Sequence, residues 1–400
     1  MRGGKNARSA FLLYLVCIST FFASLMQNMY SPILPLLRDS FGVSLSMVNL
    51  SVSLFIFIVA VMQIVIGSVI DVKGARMVLI PGLVLTIAAS IGCAVTDDFA
   101  VFLVCRALQA FGTAAIPLIA ATTIGRLFQG SQRGSAMGTY QMLLSVAPAV
   151  APVLGGWIGE RYSYPGIFWF LAGVSILLLA ANGIYFPRDK GTDVRTVRLR
   201  DLLAQYAVIM KNKISKGIFA LAFLYFFIYF EILVYLPALL SDHYQVSLQI
   251  VGLLYLPMAL SNIAGTMIFK AIQAKLPHRA LAAGGSILAA ASMLLFAATE
   301  SVSLIGLSAA LVLYGISGGV LTPLFATMIS NEFESQRGSA LGLFNFIRYV
   351  GMAAGPIAGG WLLAWLSGTA VFALFGILVA AVAWLVLGRL RTADSLRVEK

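Results

Sequence analysis

Charge is what this sequence has least of. Asp, Glu, Lys and Arg make up only 10% of its 400 residues, where a soluble domain carries about 25%. Acids are scarcer still, 15 against 27 basic residues. Histidine occurs twice, as His243 and His278, far apart and without the clustered spacing a metal site needs. The three cysteines, Cys17, Cys93 and Cys105, form no CxxC pair and fall inside apolar runs. They read as small buried hydrophobes. There is no Walker A motif, so ATP hydrolysis is not the energy source. No Ser/His/Asp set can be assembled. These shortages argue against a metalloprotein, a disulfide-stapled secreted domain, an ATP-driven pump and a hydrolase. The expectation is a protein that is not an enzyme and holds no cofactor and no metal.

Apolar residues are abundant instead. They make up 60% of the chain, and the mean hydropathy is +0.96. Runs of about 20 apolar residues recur along the whole length, each enough to cross a bilayer core of about 30 Å. The runs are continuous rather than alternating, which argues against a β-barrel. Twelve spans are expected, at about 10–35, 47–70, 77–96, 99–123, 135–158, 165–187, 216–240, 248–272, 279–299, 303–327, 338–364 and 369–388. The basic start and long apolar stretch of the N-terminus read as an uncleaved first span. Residues 188–215 are polar and basic and separate six spans from six. The expected organisation is therefore an N-terminal six-helix bundle (1–187), a cytoplasmic linker (188–215), a C-terminal six-helix bundle (216–388) and a cytoplasmic tail (389–400).

With the N-terminus placed in the cytoplasm, 23 of the 27 Lys and Arg fall on the cytoplasmic side. Such an asymmetry is what the positive-inside rule requires, and a wrong span count would scramble it. Both termini are thus expected inside a cell (inner or plasma) membrane. The net charge of +12 is spread over inner loops with no aromatic interleaving, so no nucleic-acid partner is expected.

One phrase is written twice. SQRGSAMG at 131–138 returns as SQRGSALG at 335–342. The same offset of 204 lays 131–159 over 335–363, pairing Arg133 with Arg337, Pro152 with Pro356, Gly155–Gly156 with Gly359–Gly360 and Trp157 with Trp361. An offset of 203 lays 38–48 over 241–251. The chain reads as a duplicated six-span unit. Six is even, so both copies enter the membrane in the same direction and are expected to be related by a pseudo-twofold along its normal, with a substrate site near the midplane.

Three motifs now carry a resemblance. The loop between spans 2 and 3 reads Gly67-Ser-Val-Ile-Asp71-Val72-Lys73-Gly74-Ala75-Arg76, span 4 carries Arg106-Ala-Leu-Gln109-Ala110-Phe-Gly112, and span 5 carries Ala147-Pro-Ala-Val-Ala151-Pro152-Val-Leu-Gly155-Gly156. Together with twelve spans and the half-repeat, the chain resembles the major facilitator superfamily, and within it the twelve-span drug:proton antiporter family. Val72 and Ala75 depart from the loop motif, and two motif glycines of span 5 are alanines. The intact glycine pattern, Gly351 to Gly360, stands in span 11. The resemblance implies an all-α integral membrane protein of two pseudo-symmetric six-helix bundles. It also implies a cytoplasmic gate built on Gly67, Asp71, Lys73, Gly74, Arg76, Arg133 and Arg337.

Within this frame the acids narrow the search. Glu231 is the only one lying deep in an expected span. A charge there costs at least about 2.5–3.5 kcal/mol on insertion scales, so it must face a cavity or a partner. A carboxyl in an apolar setting favours its protonated form, which suits a proton carrier; a structural, hydrogen-bonded role is the alternative. Arg106 is expected to meet a charge, either Glu231 or an anionic group on substrate, or else to bond backbone carbonyls. Arg348 is its rival in span 11. Gln109, Gln27, Asn28, Tyr30 and the aromatic Phe227 complete the expected substrate-cavity set. Gly351, Gly355, Gly359 and Gly360, with Gly155, Gly156, Pro152 and Pro356, read as packing and hinge elements without substrate contact.

The expected function is proton-coupled efflux of small organic molecules, drug-like or metabolite-like, by alternating access. Its partners are substrate, protons and the lipid bilayer, and the chain is expected to act as a monomer. The alternatives are a dedicated exporter of one endogenous metabolite such as a siderophore, and a proton symporter. A non-transporting receptor ranks below them, because it needs an added signalling domain.

Overall fold

The computed structural model describes residues 2–187, 199–333 and 336–398. Among these every regular element is a helix. That follows from the apolar runs, since hydrocarbon offers the backbone no partners and a helix satisfies its own. Helix α1 (Arg2–Asn28) passes through a 3-10 turn at Ser31–Ile33 into α2 (Leu34–Phe41). Then follow α3 (Leu45–Lys73), α4 (Ala75–Val95), α5 (Phe99–Leu127) and α6 (Gly130–Tyr185). After these come α7 (Leu199–Lys211), α8 (Lys213–Ala238), α9 (Leu248–Leu253) and α10 (Leu256–Ile272). Last are α11 (His278–Thr299), α12 (Leu304–Glu332), α13 (Arg337–Leu363) and α14 (Gly368–Val398). Some of the starts are capped by side chains: Asp98 Oδ1 accepts from the Val101 amide at 2.9 Å and Asn212 Oδ1 from the Ile214 amide at 2.8 Å.

Eleven helical segments among the described residues are long and apolar enough to cross a membrane. One of them, Ser135–Tyr185, has 51 residues, about 75 Å of helix where the hydrocarbon core is about 30 Å. It is a hairpin. Ser163 has φ 59° and ψ −171°, outside the helical region. Arg133 lies beside Gly125 near the end of α5. Tyr164 donates to the Thr96 carbonyl, at the opposite end of that helix, at 2.9 Å. Phe186 and Gly183 return to accept hydrogen bonds from Arg76. The chain therefore crosses, turns at Ser163 and crosses back, which makes twelve crossings, as hydropathy indicated.

The contacts group the chain into two compact units, Met1–Thr196 with Gln245–Leu253, and Val197–Tyr244 with Leu254–Lys400. The span expected without interruption over 248–272 is broken after Leu253. Pro257, in the first turn of α10, lacks the amide that would continue the helix. In the first unit α4 and α5 touch through glycines: a Cβ on Gly82 would stand 2.8 Å from the Gly112 carbonyl oxygen. Helix α6 presses Gly155 on the Met29 carbonyl, just past the end of α1, and Gly156 on the Leu248 carbonyl of α9. Asn182 Nδ2 donates to Ser19 Oγ at 3.1 Å. Such close backbone approach is how helices associate in lipid.

In the second unit α13 lies against α8 along one glycine face. Gly351 meets the Phe223 carbonyl, Gly355 the Phe227 carbonyl and Gly359 the Glu231 side chain. Across the unit Tyr225 stacks on Tyr314 with centroids 4.8 Å apart, and the Tyr314 hydroxyl donates to the Tyr225 carbonyl at 2.6 Å. Trp157 and Trp361, matched by the repeat, are both exposed. So are Trp365 and Trp384, as lipid-facing positions would be.

Candidate functional site

In the first unit the site is built around Arg106 of α5, which has 0% exposure. Its guanidinium lies 4.0 Å from the Tyr30 ring centroid and 4.3 Å from that of Phe55. Stacking of this kind suits the planar, weakly hydrated arginine cation. Arg106 Nη1 donates to Gln109 Oε1, and Gln109 Nε2 donates in turn to Ser90 Oγ at 2.7 Å. Gln109 is three residues along α5, on the same face. Arg106 Nε and Nη2 are buried with no well-formed hydrogen bond to an acceptor, and the buried Tyr30 hydroxyl stands beside the guanidinium and Ser51. Two charged donors are therefore held rigidly and left open, an arrangement that fits an anionic or carbonyl oxygen. Asn28, also buried, spends its amide on the Ser24 carbonyl at 2.8 Å, and Gln27 is half-buried.

In the second unit the site is built around Glu231 of α8. It too has 0% exposure, and neither carboxylate oxygen accepts a hydrogen bond. A structural carboxylate would be satisfied; this one is not. Its carboxyl occupies the space a side chain at Gly359 would fill. Phe227 is half-buried, with its ring edge-on to Phe375 at 5.6 Å. Arg348, half-buried on α13, stacks on Phe226 at 4.6 Å and donates to Asn345 Oδ1 at 3.4 Å.

The offset of 203 that relates residues 38–48 to 241–251 also places Asn28 opposite Glu231. The two units thus carry an amide and an acid at matching positions; Gly359 packs on Glu231 itself, and its repeat partner Gly155 packs on Met29, the residue after Asn28.

The remaining expectations fall as follows. Gly74 sits at φ 86° between α3 and α4, a backbone setting that favours glycine. Arg76 caps the C-terminal end of α6 by bonding the Gly183 and Phe186 carbonyls. Arg133 is exposed. The side chains of Gly67, Asp71, Lys73 and Arg337, and linker residues 188–198, lie outside the described residues. Pro152, Pro356, Gly156, Gly351, Gly355 and Gly360 are buried helix-contact residues. Of the cysteines, Cys17 and Cys93 are buried and Cys105 is half-buried.

Sequence reading missed Glu300. It stands at the end of an expected span and looks like a loop acid, yet it is 3% exposed. Its only sequence signal is a single acid directly after an apolar run.

Gly359 gives a direct check of the Glu231 geometry. Gly359→Ala would drive its Cβ into the carboxylate, while Gly355→Ala meets only main-chain atoms of Phe227 and Glu231, which Glu231→Ala leaves in place. Thermal unfolding should show that Glu231→Ala rescues Gly359→Ala but not Gly355→Ala, with a coupling of about 1–3 kcal/mol in the first pair. Additive losses in both pairs would place Glu231 away from Gly359.

A family model described as Major Facilitator Superfamily matches residues 16–356 and 275–399. Citrate exporter 1 of Aspergillus niger is 30% identical over 175 residues, 43% of this chain and 33% of that protein. A chloramphenicol resistance protein of Pseudomonas aeruginosa is 29% identical over 182 residues, 45% of this chain and 43% of that one. The multidrug transporter protein MdtP of Bacillus subtilis is 25% identical over 190 residues, 47% of this chain and 35% of that one. The chain thus spans a third to less than half the length of these curated relatives. Among solved structures, a bacterial homologue of the human lysosomal transporter Spinster superposes with a TM-score of 0.78 at 14% identity, covering 95% of this chain and 97% of that one. The nucleoside transporter NupG gives 0.79 at 12% identity, covering 94% and 99%. At these identities the structures speak for the fold alone.

Proposed function

Because the chain belongs to the Major Facilitator Superfamily, we propose that it exports small organic molecules in exchange for protons. The observation that carries this reading is Glu231, a fully buried carboxylate without a hydrogen bond on a membrane-crossing helix. An ionisable group kept in hydrocarbon at such cost marks a pathway for ions or substrate. An acid that must gain and lose a proton gains from having no fixed donor, because a donor would hold it ionised. The Pseudomonas and Bacillus relatives, named for chloramphenicol resistance and multidrug transport, support the efflux direction. Alternating access by residues 1–187 and 216–388, a single-chain unit and cytoplasmic termini complete the proposal. The last rests on the 23 Lys and Arg of 27 assigned to one side.

A second reading is export of one carboxylate-bearing metabolite. It is favoured by the open Arg106 Nε and Nη2 donors and by the likeness to a citrate exporter.

The test uses proteoliposomes with an imposed pH gradient and three probes: chloramphenicol, ethidium and citrate. Accumulation of chloramphenicol or ethidium that a protonophore abolishes supports the first reading. Accumulation of citrate alone supports the second. Accumulation that the protonophore leaves intact removes proton coupling.

A further inference from the structure

Glu231 has a buried acidic neighbour in its own unit. Glu300 follows α11 directly. Its Oε1 accepts from Thr369 Oγ1 at 2.9 Å, its Oε2 is buried short of a well-formed hydrogen bond, and the Tyr235 hydroxyl is close enough to bond the carboxylate. An acid retained only for packing would have both oxygens satisfied, or would be replaced by an amide.

Tyr235 stands between the two acids. It lies four residues beyond Glu231 on α8, so both side chains share one helical face. Its hydroxyl presses on Gly368 from the same side as Glu300, whose two oxygens would lie 2.7 and 2.8 Å from a Cβ there. The phenol interacts electrostatically with both Glu300 and Glu231. Its ring is held between Phe372 at 5.0 Å and Phe296 at 6.4 Å, which fixes where the hydroxyl can reach. Beyond Glu300 stands His243. It is exposed, its Nε2 lies 3.0 Å from the Ser301 carbonyl oxygen, and it acts electrostatically on Glu300.

We propose that Glu300 and Tyr235 form a proton relay that loads and unloads Glu231 from the membrane surface at the α11–α12 and α13–α14 loops, with His243 as its surface port. The relay rests on the reading of Glu231 as the proton carrier. Loading begins when Glu300 takes a proton from water or from protonated His243. The Glu300 O–H then passes its proton to the Tyr235 oxygen as the Tyr235 O–H passes its own to a Glu231 oxygen, directly or through a water. Glu300 ends as the carboxylate, Tyr235 as the neutral phenol and Glu231 as the acid. Rotation of the phenol O–H resets the chain, and unloading runs the same steps backwards.

Two further observations fit. Burial pushes the Glu300 carboxyl above the ordinary carboxylate range, opposed by the Thr369 and Tyr235 hydroxyls and by His243. Glu300 therefore binds its proton at a higher pH than an exposed acid, where a shuttle is useful. Tyr244 is a further titratable neighbour of Glu300 at this end. The repeat supplies the other observation. An offset of 203 matches Glu231, Tyr235 and His243 with Asn28, Pro32 and Ser40, and Glu300 with Asp97. An acid thus recurs at the Glu300 position, but the partners of Glu231, Tyr235 and His243 carry no acid, phenol or imidazole, so the complete series belongs to the second half alone.

The experiment needs no substrate. The full chain is reconstituted in proteoliposomes, the outer pH is dropped rapidly, and the carboxylic C=O band in the infrared is followed. Glu231→Gln identifies the band of Glu231 by its loss. With the relay, Tyr235→Phe and Glu300→Gln should each slow the rise of that band by at least about tenfold while its final amplitude is kept. Glu300→Asp, which keeps a titrating group, should recover most of the rate. Should Glu300→Gln fail to fold, Tyr235→Phe, which keeps the ring and its packing, decides alone. A wild-type rate in Tyr235→Phe and Glu300→Gln overturns the relay and leaves Glu231 as carrier. If Glu231→Gln removes no titrating band, the carrier reading falls, and the relay with it.

Discussion

Replacing Glu231 with Gln is expected to abolish uphill transport while leaving downhill substrate exchange intact. The substitution keeps the shape of the side chain and removes its titration. Neither Glu231 oxygen has a hydrogen-bond partner to lose, so against the carboxylate the direct structural cost is the two buried N–H groups of the amide, about 1–3 kcal/mol each. Against it stands the charge itself, at least about 2.5–3.5 kcal/mol on insertion scales, which the amide does not bear. The variant should therefore fold and melt close to wild type. In proteoliposomes carrying a pH gradient it should bind the transported probe, exchange it between the two faces, and fail to concentrate it. Proton release driven by the probe should vanish in parallel. A variant that concentrates the probe as well as the wild type does would make Glu231 structural and move coupling elsewhere in the chain.

Arg106 carries the other large effect, and the choice of replacement decides what is learned. Arg106→Lys keeps the charge but gives up the planar group that lies on Tyr30 at 4.0 Å and Phe55 at 4.3 Å. A compact ammonium is more strongly hydrated and cannot reproduce that stacking. Arg106→Met keeps apolar volume and removes the charge. Desolvated cation–π contacts contribute about 2 kcal/mol, yet replacing a buried charge by a hydrophobe of similar volume is often neutral or stabilising by about 1–4 kcal/mol. The two terms nearly cancel. What remains is the Gln109 Oε1 left without its donor, about 1–3 kcal/mol. Arg106→Met should therefore lower the melting temperature by only a few degrees, about 2–4 °C per kcal/mol for a chain of some size. Transport should fall far more, by at least about a hundredfold if the open Nε and Nη2 donors hold substrate, since a charged hydrogen bond contributes about 1.5–3 kcal/mol and two are lost. Arg106→Lys should lose most of the activity as well. Initial rates in vesicles, set beside melting curves of the same preparations, separate the two effects. Wild-type transport in the Met variant would reduce Arg106 to a packing residue.

Much of the fold was legible in one dimension. Whether a run of residues can cross a membrane depends on length and polarity within the run itself, so the twelve crossings follow from hydropathy. The hairpin inside Gly130–Tyr185 is an example. Its helical dihedrals continue on both sides of Ser163, but the two apolar runs around it each match one bilayer thickness. The internal repeat is likewise a comparison of letters, and it marks the glycine face of α13 before any neighbour is known. Glu231 could be singled out for the same reason, as the one acid deep in an apolar run.

What surrounds those residues belongs to tertiary structure. That the glycine face of α13 meets α8, so that Gly359 opens the space Glu231 fills, depends on two helices more than a hundred residues apart in sequence. The packing of α9 on α6 depends on Gly252 meeting the Pro152 carbonyl. Hydropathy, which sees one unbroken apolar run there, carries no trace of it. The same holds for Arg106: its family motif is local, but its stacking on Tyr30 and Phe55 is assembled from three separate stretches of chain. Glu300 is the plainest case. By sequence it ends a span and should reach water. It is buried because Thr369, Tyr235 and the backbone of Gly368 close over it from α14 and α8. Burial is a property of what converges on a residue, and convergence is set by packing between segments remote in sequence, which no local pattern encodes.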